Sequence, residues 1–426
     1  MEISVPLTLI LMTMSLLWFP QWHVFGKRWQ SYWIIALLGA LLTWIAFGMN
    51  VTFLFEAWSG DGAMNPLRIL SLFFAFTVLA IFLDEVGFIK YLAYLALSKA
   101  GTSQPKLFLV WFLIVAVATT LTANDIVILT LTPFIIYLSR HAKISPIPYL
   151  VSQFVSANTW SMLLMIGNPT NIYLASMFNV DFLSYVQIML IPTLVTGIVS
   201  YGLLYFIFRG FLRQPISKPT MMIHPPHPSY RLGVIMLLVA VGFMTIAQWI
   251  GIGMDILTVA SAFGLIILVQ IRYPKTDHIR STMKRLPYVM IPFFLSMAVL
   301  VQGMNHLGWS ETVATFLKAY PPVYSFGIGS FITSNMINNI PMSLWFANLI
   351  TTIEPGHAQI QAIYASIIGS NLGALLTPIG ALAGLMWMSI LKEKQVKFTF
   401  LTFVKYGLMI APILMVIALW MLDVIS

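Results

Sequence analysis

The sequence contains no cysteine and very little charge. Of its 426 residues, 8% are charged, whereas soluble domains carry about 25%. The lack of cysteine excludes disulfides, thiolate metal sites and cysteine nucleophiles. The lack of charge leaves no room for a water-soluble catalytic domain, because the longest polar segments, 209–231 and 272–287, are only as long as linkers. With 59% hydrophobic residues and a mean hydropathy of +0.91, the chain is predicted to be an all-α protein that crosses a membrane many times.

Sequence motifs of common enzymes are also missing. There is no GxxxxGK[ST] loop for ATP, no HExxH pair for zinc and no GxSxG elbow for a nucleophilic serine. The chain is therefore not expected to be an enzyme, and neither catalytic residues nor a resident metal or cofactor are predicted.

Ten apolar runs approach the length of about 20 residues that a membrane-spanning helix needs. They are 3–19, 31–55, 68–98, 147–177, 182–208, 230–250, 252–271, 287–318, 358–391 and 396–424. The first lacks the basic start and cleavage site of a signal peptide, so it is predicted to be a span. Two more stretches, 106–139 and 322–350, are interrupted by TAND at 122–125 and TSNMINNIP at 333–341. We predict that these form re-entrant hairpins with polar tips.

The positive charges are segregated along the chain. When the ten runs and two hairpins are placed in order, most of the 22 Lys and Arg residues fall on one face, and most acidic loop residues fall on the other. Because basic loops stay in the cytoplasm, we place this face in the cytoplasm and both termini outside a cell membrane. Topology then accounts for the net charge of +9, and membrane lipid but no nucleic acid is expected as a partner.

The two halves of the chain resemble each other, with polar segments that recur after 213 or 214 residues. The recurring pairs are NDI at 124–126 with NNI at 338–340, and NTWSMLLMIG at 158–167 with NLGALLTPIG at 371–380. A weaker pair is VGF at 86–88 with LGW at 307–309. Because each half has an odd number of spans, the halves are predicted to be inverted repeats. The predicted boundaries are 1–212 for the first repeat, 213–229 for a cytoplasmic linker and 230–426 for the second repeat.

Helix-breaking residues interrupt two of the predicted spans. The span 147–177 contains IGNPTN at 166–171, and the span 358–391 contains GSNLGALLTPIG at 369–380. Within hydrocarbon such breaks are tolerated only where protein or a watery cavity surrounds them. The two broken spans and the two hairpin tips are predicted to meet at one central site. There, half-helix N-termini can face an anion and unwound carbonyls can hold a cation. In the alternative, the glycines and prolines kink the helices and the asparagines join neighbouring helices.

Few ionisable side chains lie inside the predicted spans. Asp125 is the main candidate for a proton carrier, because it lies at a hairpin tip and its second-half counterpart is the neutral Asn339. Asp84 and Glu85 are predicted either to stabilise a break in the third span or to pair with Lys90. Sodium is the alternative coupling ion, with side-chain oxygen ligands available from Asn124, Ser156, Asn158, Thr159, Asn338 and Asn371.

Four motifs, in order and spacing, resemble the ArsB-type arsenite-efflux permeases. They are FLDEVGF at 82–88, LTANDIVILTLTPFIIYL at 121–138, NMINNIPMSLW at 335–345 and IGSNLGALLTPIGALAGLMWMSIL at 368–391. The wider ion transporter superfamily, which includes NhaD-type sodium/proton antiporters and sodium-coupled dicarboxylate carriers, is similar in its two inverted halves, each with a re-entrant hairpin and a broken helix. The resemblance implies a homodimer. It also implies a central site that contains Asn124, Asp125, Asn338, Asn339 and the segments 167–171 and 369–371.

The chain departs from the ArsB-type pattern at two places. GSNLG at 369–373 stands where those proteins typically carry Gly-Cys-Asp-Leu-Gly, so Asn371 replaces an acid. GNPTN at 167–171 replaces a Ser-Asn-based motif and is more similar to the anion-permease or NhaD branch. Asp125 is then the one obvious central proton carrier.

These observations predict an ion-coupled secondary transporter that exports arsenite or a related small solute in exchange for protons by alternating access. Neutral As(OH)₃ needs hydrogen-bonding groups rather than countercharges. The alternatives are a Na⁺/H⁺ antiporter, a Na⁺-coupled carboxylate or other anion transporter and, from another class, a passive channel. The candidate binding residues are Asn124, Asp125, Ser156, Asn158, Thr159, Gly167, Asn168, Pro169, Thr170, Asn171, Asn338, Asn339, Ser370, Asn371 and Thr377. The candidate hinges or close-approach points are Gly167, Pro169, Gly369, Gly373, Pro378 and Gly380.

Overall fold

The chain folds almost entirely into helices. The structure is a computed structural model and describes residues 4–18, 21–24, 27–58, 66–98, 103–214, 216, 225–250 and 253–426. Much of the predicted linker 213–229 lies outside these residues. The all-α prediction is confirmed apart from one short antiparallel hairpin, β1 (Gln21–Val24) with β2 (Lys27–Gln30), which was not predicted.

The first half contains a series of ten helices within the described ranges. They are α1 (Ser4–Trp18), α2 (Ser31–Ala46), α3 (Val51–Trp58), α4 (Pro66–Glu85), α5 (Phe88–Ser98), α6 (Gln104–Leu121), α7 (Asn124–Ala142), α8 (Ile147–Trp160), α9 (Pro169–Met177) and α10 (Phe182–Leu212). A 3₁₀ turn, Met165–Gly167, lies between α8 and α9.

The second half continues with a similar series. Its helices are α11 (Tyr230–Ile250), α12 (Met254–Arg272), α13 (His278–Arg285), α14 (Met290–His306), α15 (Trp309–Lys318), α16 (Pro322–Ile337), α17 (Asn339–Thr351), α18 (His357–Gly373), α19 (Leu382–Glu393) and α20 (Phe400–Ile425). A 3₁₀ turn, Pro378–Gly380, lies between α18 and α19.

The order of elements from α4 to α10 recurs from α14 to α20. In each series a long helix and a short helix are followed by a helical hairpin, a helix broken by a 3₁₀ turn, and a final long helix. The two 3₁₀ turns are 213 residues apart, as the sequence comparison of the two halves predicts. The inverted orientation of the two repeats stays a prediction.

Seven helices within the described ranges are long and apolar enough to cross a membrane. Five of them lie in predicted spans, and the other two are α6 and α7 of the predicted hairpin. Two predicted spans that do appear are shorter than the apolar runs that contain them. The run 68–98 is split at Gly87 (φ +82°), and the run 287–318 is split at Gly308 (φ +74°). Glycine tolerates this left-handed conformation and ends a helix there. The weak VGF and LGW similarity therefore marks the same structural break in both halves.

The two hairpins differ in length. Helices α6 and α7 have 18 and 19 residues, so each is about 27 Å long and nearly spans the apolar layer. Helices α16 and α17 have 16 and 13 residues. Both α6 and α7 are long and apolar enough to cross a membrane, and the re-entrant course of the two hairpins stays a prediction.

Packing between the halves brings the interrupted segments together. Helix α9 contacts α17 and α18, and α18 also packs along α16 and against α8. Helix α10 packs against α20, while α4 packs against α11, α12 and α13. The two broken helices and the hairpin of the second half therefore share one buried region.

Candidate functional site

At the tip of each hairpin the backbone leaves the helical conformation. In the first hairpin, Thr122 and Ala123 are extended and separate α6 from α7. In the second, Asn338 alone separates α16 from α17, with φ 77° and ψ 155°. A residue other than glycine is strained in this conformation. The Asn338 side chain stabilises it by accepting from Ile340 N at 3.3 Å and donating to Ile379 O at 2.8 Å.

Each broken helix restarts after its 3₁₀ turn in a similar way. Asn168 caps α9 by accepting from Thr170 N at 3.1 Å, and Pro169 occupies the first helical position, where its missing N–H costs nothing. In the second half, Thr377 caps the 3₁₀ turn by accepting from Ile379 N at 3.3 Å. The asparagine and the prolines in these motifs thus have a local role in restarting the helices.

Asn371 lies at the junction of the two broken helices and is completely buried. Its Oδ1 accepts from Ser161 Oγ at 2.7 Å and from Asn168 Nδ2 at 2.8 Å. Its Nδ2 donates to Asn171 Oδ1 at 2.7 Å and to Ile367 O at 2.8 Å. These bonds use both hydrogens of the amide; at its oxygen, Ser161 Oγ shares its one hydrogen between Asn371 Oδ1 and Asn158 O, which lies 2.9 Å away. Asn371 therefore joins the halves and has no hydrogen left to donate to a solute.

A chain of hydroxyl and amide groups continues from this junction. Ser370 Oγ donates to Thr170 Oγ1 at 2.8 Å, and Thr170 Oγ1 donates to Asn168 Oδ1 at 3.0 Å. Asn171 Nδ2 donates to Ser161 O at 2.8 Å. The structure thus brings Asn168, Thr170, Asn171, Ser370 and Asn371 into one buried network, and their role in binding stays a prediction.

The hairpin tips are tied to the broken helices of their own halves. Asn124 Nδ2 donates to Asn158 Oδ1 at 3.0 Å. In the second half, Asn335 Nδ2 donates to Gly373 O at 2.9 Å, and its Oδ1 accepts from Thr377 Oγ1 at 2.8 Å. Sequence reasoning selected neither Asn335 nor Ser161 for the site. Asn335 lies within the polar tip motif TSNMINNIP, whereas Ser161 carries no sequence signal beyond its position near the break.

Four of the candidate glycines allow close approach of neighbouring segments. A Cβ atom added at Gly167, Gly369, Gly373 or Gly380 would lie 2.3, 1.9, 2.1 or 2.7 Å from the nearest atom. The structure thus supports the close-approach role of these positions, and their role as hinges stays a prediction.

The second residue of each tip differs from the rest of the network. Asp125 is half-buried and Asn339 is 4% exposed. Within the described part of the chain, neither side chain has a hydrogen-bond or ion-pair partner; the Asp125 carboxylate only lies within electrostatic range of Tyr32. Thr159 Oγ1 is likewise buried without a partner, whereas Ser156 Oγ donates to Phe112 O at 3.0 Å. Asp125, Asn339 and Thr159 therefore have bonding capacity to spare, and no side-chain hydrogen bond between described residues joins them to the buried network.

The central region is closed and contains no positive side chain. Among the described residues, no Lys, Arg or His is buried. Two narrow cavities flank Pro169, one beside the first tip at Thr122 and Ala123, the other beside Thr170 and Ser343. Each has room for about one water molecule. A solute can reach the site only after the surrounding helices move.

Asp84 and Glu85 lie away from this region, directly before the break at Gly87. Both carboxylates pair with Arg285 of α13; the Glu85–Arg285 distance is 2.8 Å. The predicted pairing with Lys90 is not present, because Arg285 from the second half takes that position. Asp84 and Glu85 thus fix the break to α13, which agrees with their predicted structural role.

Comparison with known proteins gives a consistent picture. The sequence model of the citrate transporter family matches residues 9–369. The arsenical pump membrane protein of Yersinia enterocolitica is 28% identical over 81% of this chain and 83% of its own length. That of Escherichia coli K12 is 26% identical over the same shares, and a putative arsenical pump membrane protein of Bacillus subtilis is 27% identical over 79% and 82%. These matches confirm the resemblance to the ArsB-type permeases.

A solved structure shares the fold. The YdaH transporter of Alcanivorax borkumensis, described as having an unusual topology, is 15% identical, with a TM-score of 0.55 over 99% of this chain and 96% of that chain. At this identity the likeness concerns the fold alone.

Proposed function

This chain belongs to the citrate transporter family and is a multi-pass membrane transporter, not an enzyme, and from this premise we propose that it exchanges protons for a small uncharged hydroxylated solute of the arsenite type. The observation that carries the proposal is the composition of the central site. Its buried groups are amides and hydroxyls, and the one carboxylate among the candidate residues, Asp125, has no hydrogen-bond or ion-pair partner among the described residues.

The lack of buried positive charge favours a neutral solute. A multiply charged carboxylate such as citrate loses its hydration on entering a closed site, and this cost is offset only by cations or many hydrogen-bond donors. No Lys, Arg or His is buried in the described part of the chain. Neutral As(OH)₃ instead presents three hydroxyl groups, each able to donate and accept, which suits the amide of Asn339 and the hydroxyl of Thr159.

The unpaired carboxylate of Asp125 favours coupling to protons. A carboxylate held by a salt bridge would resist protonation, because its partner stabilises the charged form. Asp125 has no such partner in the part of the chain that the structure describes, so we propose that it accepts a proton when the site is open to one side and releases it on the other. A proton and a solute that bind alternately at this position would be exchanged across the membrane.

The closed network favours alternating access over a permanently open channel. Buried hydrogen bonds join the two broken helices, and each hairpin tip is bonded to the broken helix of its own half. We propose that these segments move as one unit against the other helices. We also propose that both termini lie outside the cell and that the protein forms the homodimer that the resemblance implies.

Contacts between loops support the proposed topology. Arg140 bonds to Lys394 O, Gln104 Nε2 donates to Gln214 O at 2.9 Å, and His227 N donates to Val86 O at 3.1 Å. Apart from Val86, which lies within the predicted span 68–98, these positions lie on or next to the face that the charge pattern assigns to the cytoplasm.

The proposal is tested by uptake of radiolabelled arsenite into inside-out membrane vesicles with an imposed proton gradient. The intact protein should accumulate arsenite above empty membranes, and Asp125→Asn should not. Asp277→Asn is a matched control, because Asp277 is exposed at the start of α13. Absence of accumulation by correctly inserted protein would refute the arsenite assignment. Uptake driven by sodium, or equilibration without accumulation, would instead support the sodium-coupled or channel alternative.

A further inference from the structure

The amide of Asn371 is matched to its surroundings on both sides. Its oxygen receives two donors, and its nitrogen faces two oxygens, Asn171 Oδ1 at 2.7 Å and Ile367 O at 2.8 Å. Asn171 cannot reverse its own amide without loss, because its nitrogen already donates to Ser161 O at 2.8 Å. The junction therefore requires a group that accepts on one side and donates two hydrogens on the other.

A carboxyl group of the same size would not fit in the same way. An ionised aspartate at position 371 has no hydrogen and would face the oxygens of Asn171 and Ile367 at hydrogen-bond distance. Its protonated form has one hydrogen and would restore one of the two lost bonds. The junction would then hold at low pH and weaken at high pH, whereas an amide keeps the same bonds at every pH.

We propose that Asn371 is a positioning residue whose amide clasps the two broken helices together in a manner independent of pH, so that Asp125 alone makes the central site sensitive to protons. The role of Asp125 rests on the proposed function, whereas the role of Asn371 in joining the two broken helices rests on the geometry alone.

Titratable side chains on the described helices around Asn371 are few. The helices packed against α18 carry Tyr149, Tyr173, Tyr324, Lys405, Tyr406 and Asp423, and α18 itself carries His357 and Tyr364. Among the described residues, none of these is hydrogen-bonded to Asn371. A pH response created at position 371 would therefore belong to the introduced group.

The first test is thermal unfolding of purified protein in detergent between pH 5.5 and 8.5, which needs no transport activity. Relative to wild type, the melting temperature of Asn371→Asp should fall by about 5 °C more at pH 8.5 than at pH 5.5. The reason is that a buried acceptor faces other acceptors once the acid ionises. Asn371→Ser, which carries no titratable group, should be destabilised equally at all pH values. Asn348→Asp is the control, because the Asn348 side chain is half-buried and donates to Leu344 O within its own helix, and this variant should show no such trend.

The second test is arsenite uptake by the same variants. The ratio of Asn371→Asp to wild-type uptake should fall at least tenfold from pH 6 to pH 8, while the ratio for Asn371→Ser stays constant. If Asn371→Asp does not insert, Asn171→Asp places the acid on the other side of the same hydrogen bond and should give the same trend. Melting curves of both aspartate variants that run parallel to wild type would overturn the clasp. If wild type takes up no arsenite but the aspartate variants still melt at lower temperatures at high pH, the proposed function is wrong and the role of Asn371 is still supported.

Discussion

Close packing of α16 against α18 gives a quantitative prediction at Gly369. A Cβ atom at this position would lie 1.9 Å from Ser330 Oγ, 2.4 Å from Gly327 O and 2.9 Å from Phe331 N. The serine hydroxyl can rotate away, but the carbonyl and the amide nitrogen belong to the α16 backbone. The helices would therefore have to separate by nearly 1 Å, and overpacking of this kind costs about 3 kcal/mol.

The assay is thermal unfolding of Gly369→Ala in detergent, with Gly202→Ala as the matched control. An added Cβ at Gly202 of α10 would have nothing within 4 Å, and alanine favours a helix over glycine by about 1 kcal/mol. We expect Gly369→Ala to lower the melting temperature by about 6 °C and Gly202→Ala to leave it unchanged or raise it. Equal melting temperatures for the two variants would refute the packing argument.

Three further predictions concern the ion pairs and the second hairpin. Arg285→Ala removes the counterion of Asp84, whose side chain is 2% exposed. This substitution should lower the free energy of unfolding by about 2 kcal/mol after allowance for the half-exposed arginine. Arg68→Ala breaks a more exposed pair and should cost less than about 1 kcal/mol; equal chemical-denaturation midpoints would contradict this order. Asn338→Gly should be more stable than Asn338→Ala by about 1 kcal/mol, because glycine tolerates the φ of 77°, and the reverse order of melting temperatures would disprove the strain. Asn339→Ala should melt like wild type but take up arsenite more slowly, and a large loss of stability would show that Asn339 has a structural partner.

Much of the fold follows from the sequence because membrane helices are encoded by local composition. Long apolar runs mark spans, and polar interruptions mark the hairpin tips and the broken helices. The breaks at Gly87 and Gly308 are less visible, since one glycine does not alter the mean hydropathy of a long run. Their signal lies in the similarity of VGF and LGW between the halves. The β1–β2 hairpin has no such signal, because its four-residue strands are polar and short.

The site is predictable in its residue types but not in its pairings. Sequence comparison of the halves selects Asn158 and Asn371 as equivalents, yet Asn371 bonds to Asn168 and Asn171 of the other half, about 200 positions away in the sequence. Such contacts depend on how the helices cross, which no local pattern encodes. For the same reason the sequence could not distinguish asparagines that satisfy one another from Asn339, whose side chain has no hydrogen-bond partner among the described residues.

The central claim is that Asp125 carries the proton that is exchanged for the solute. The most direct measurement is proton movement in proteoliposomes of purified protein, followed with a trapped pH-sensitive dye after arsenite is added outside. Wild type should move protons outward as arsenite enters, Asp277→Asn should do the same, and Asp125→Asn should move none. Arsenite entry without proton movement in wild type, or unchanged proton movement in Asp125→Asn, would contradict the claim.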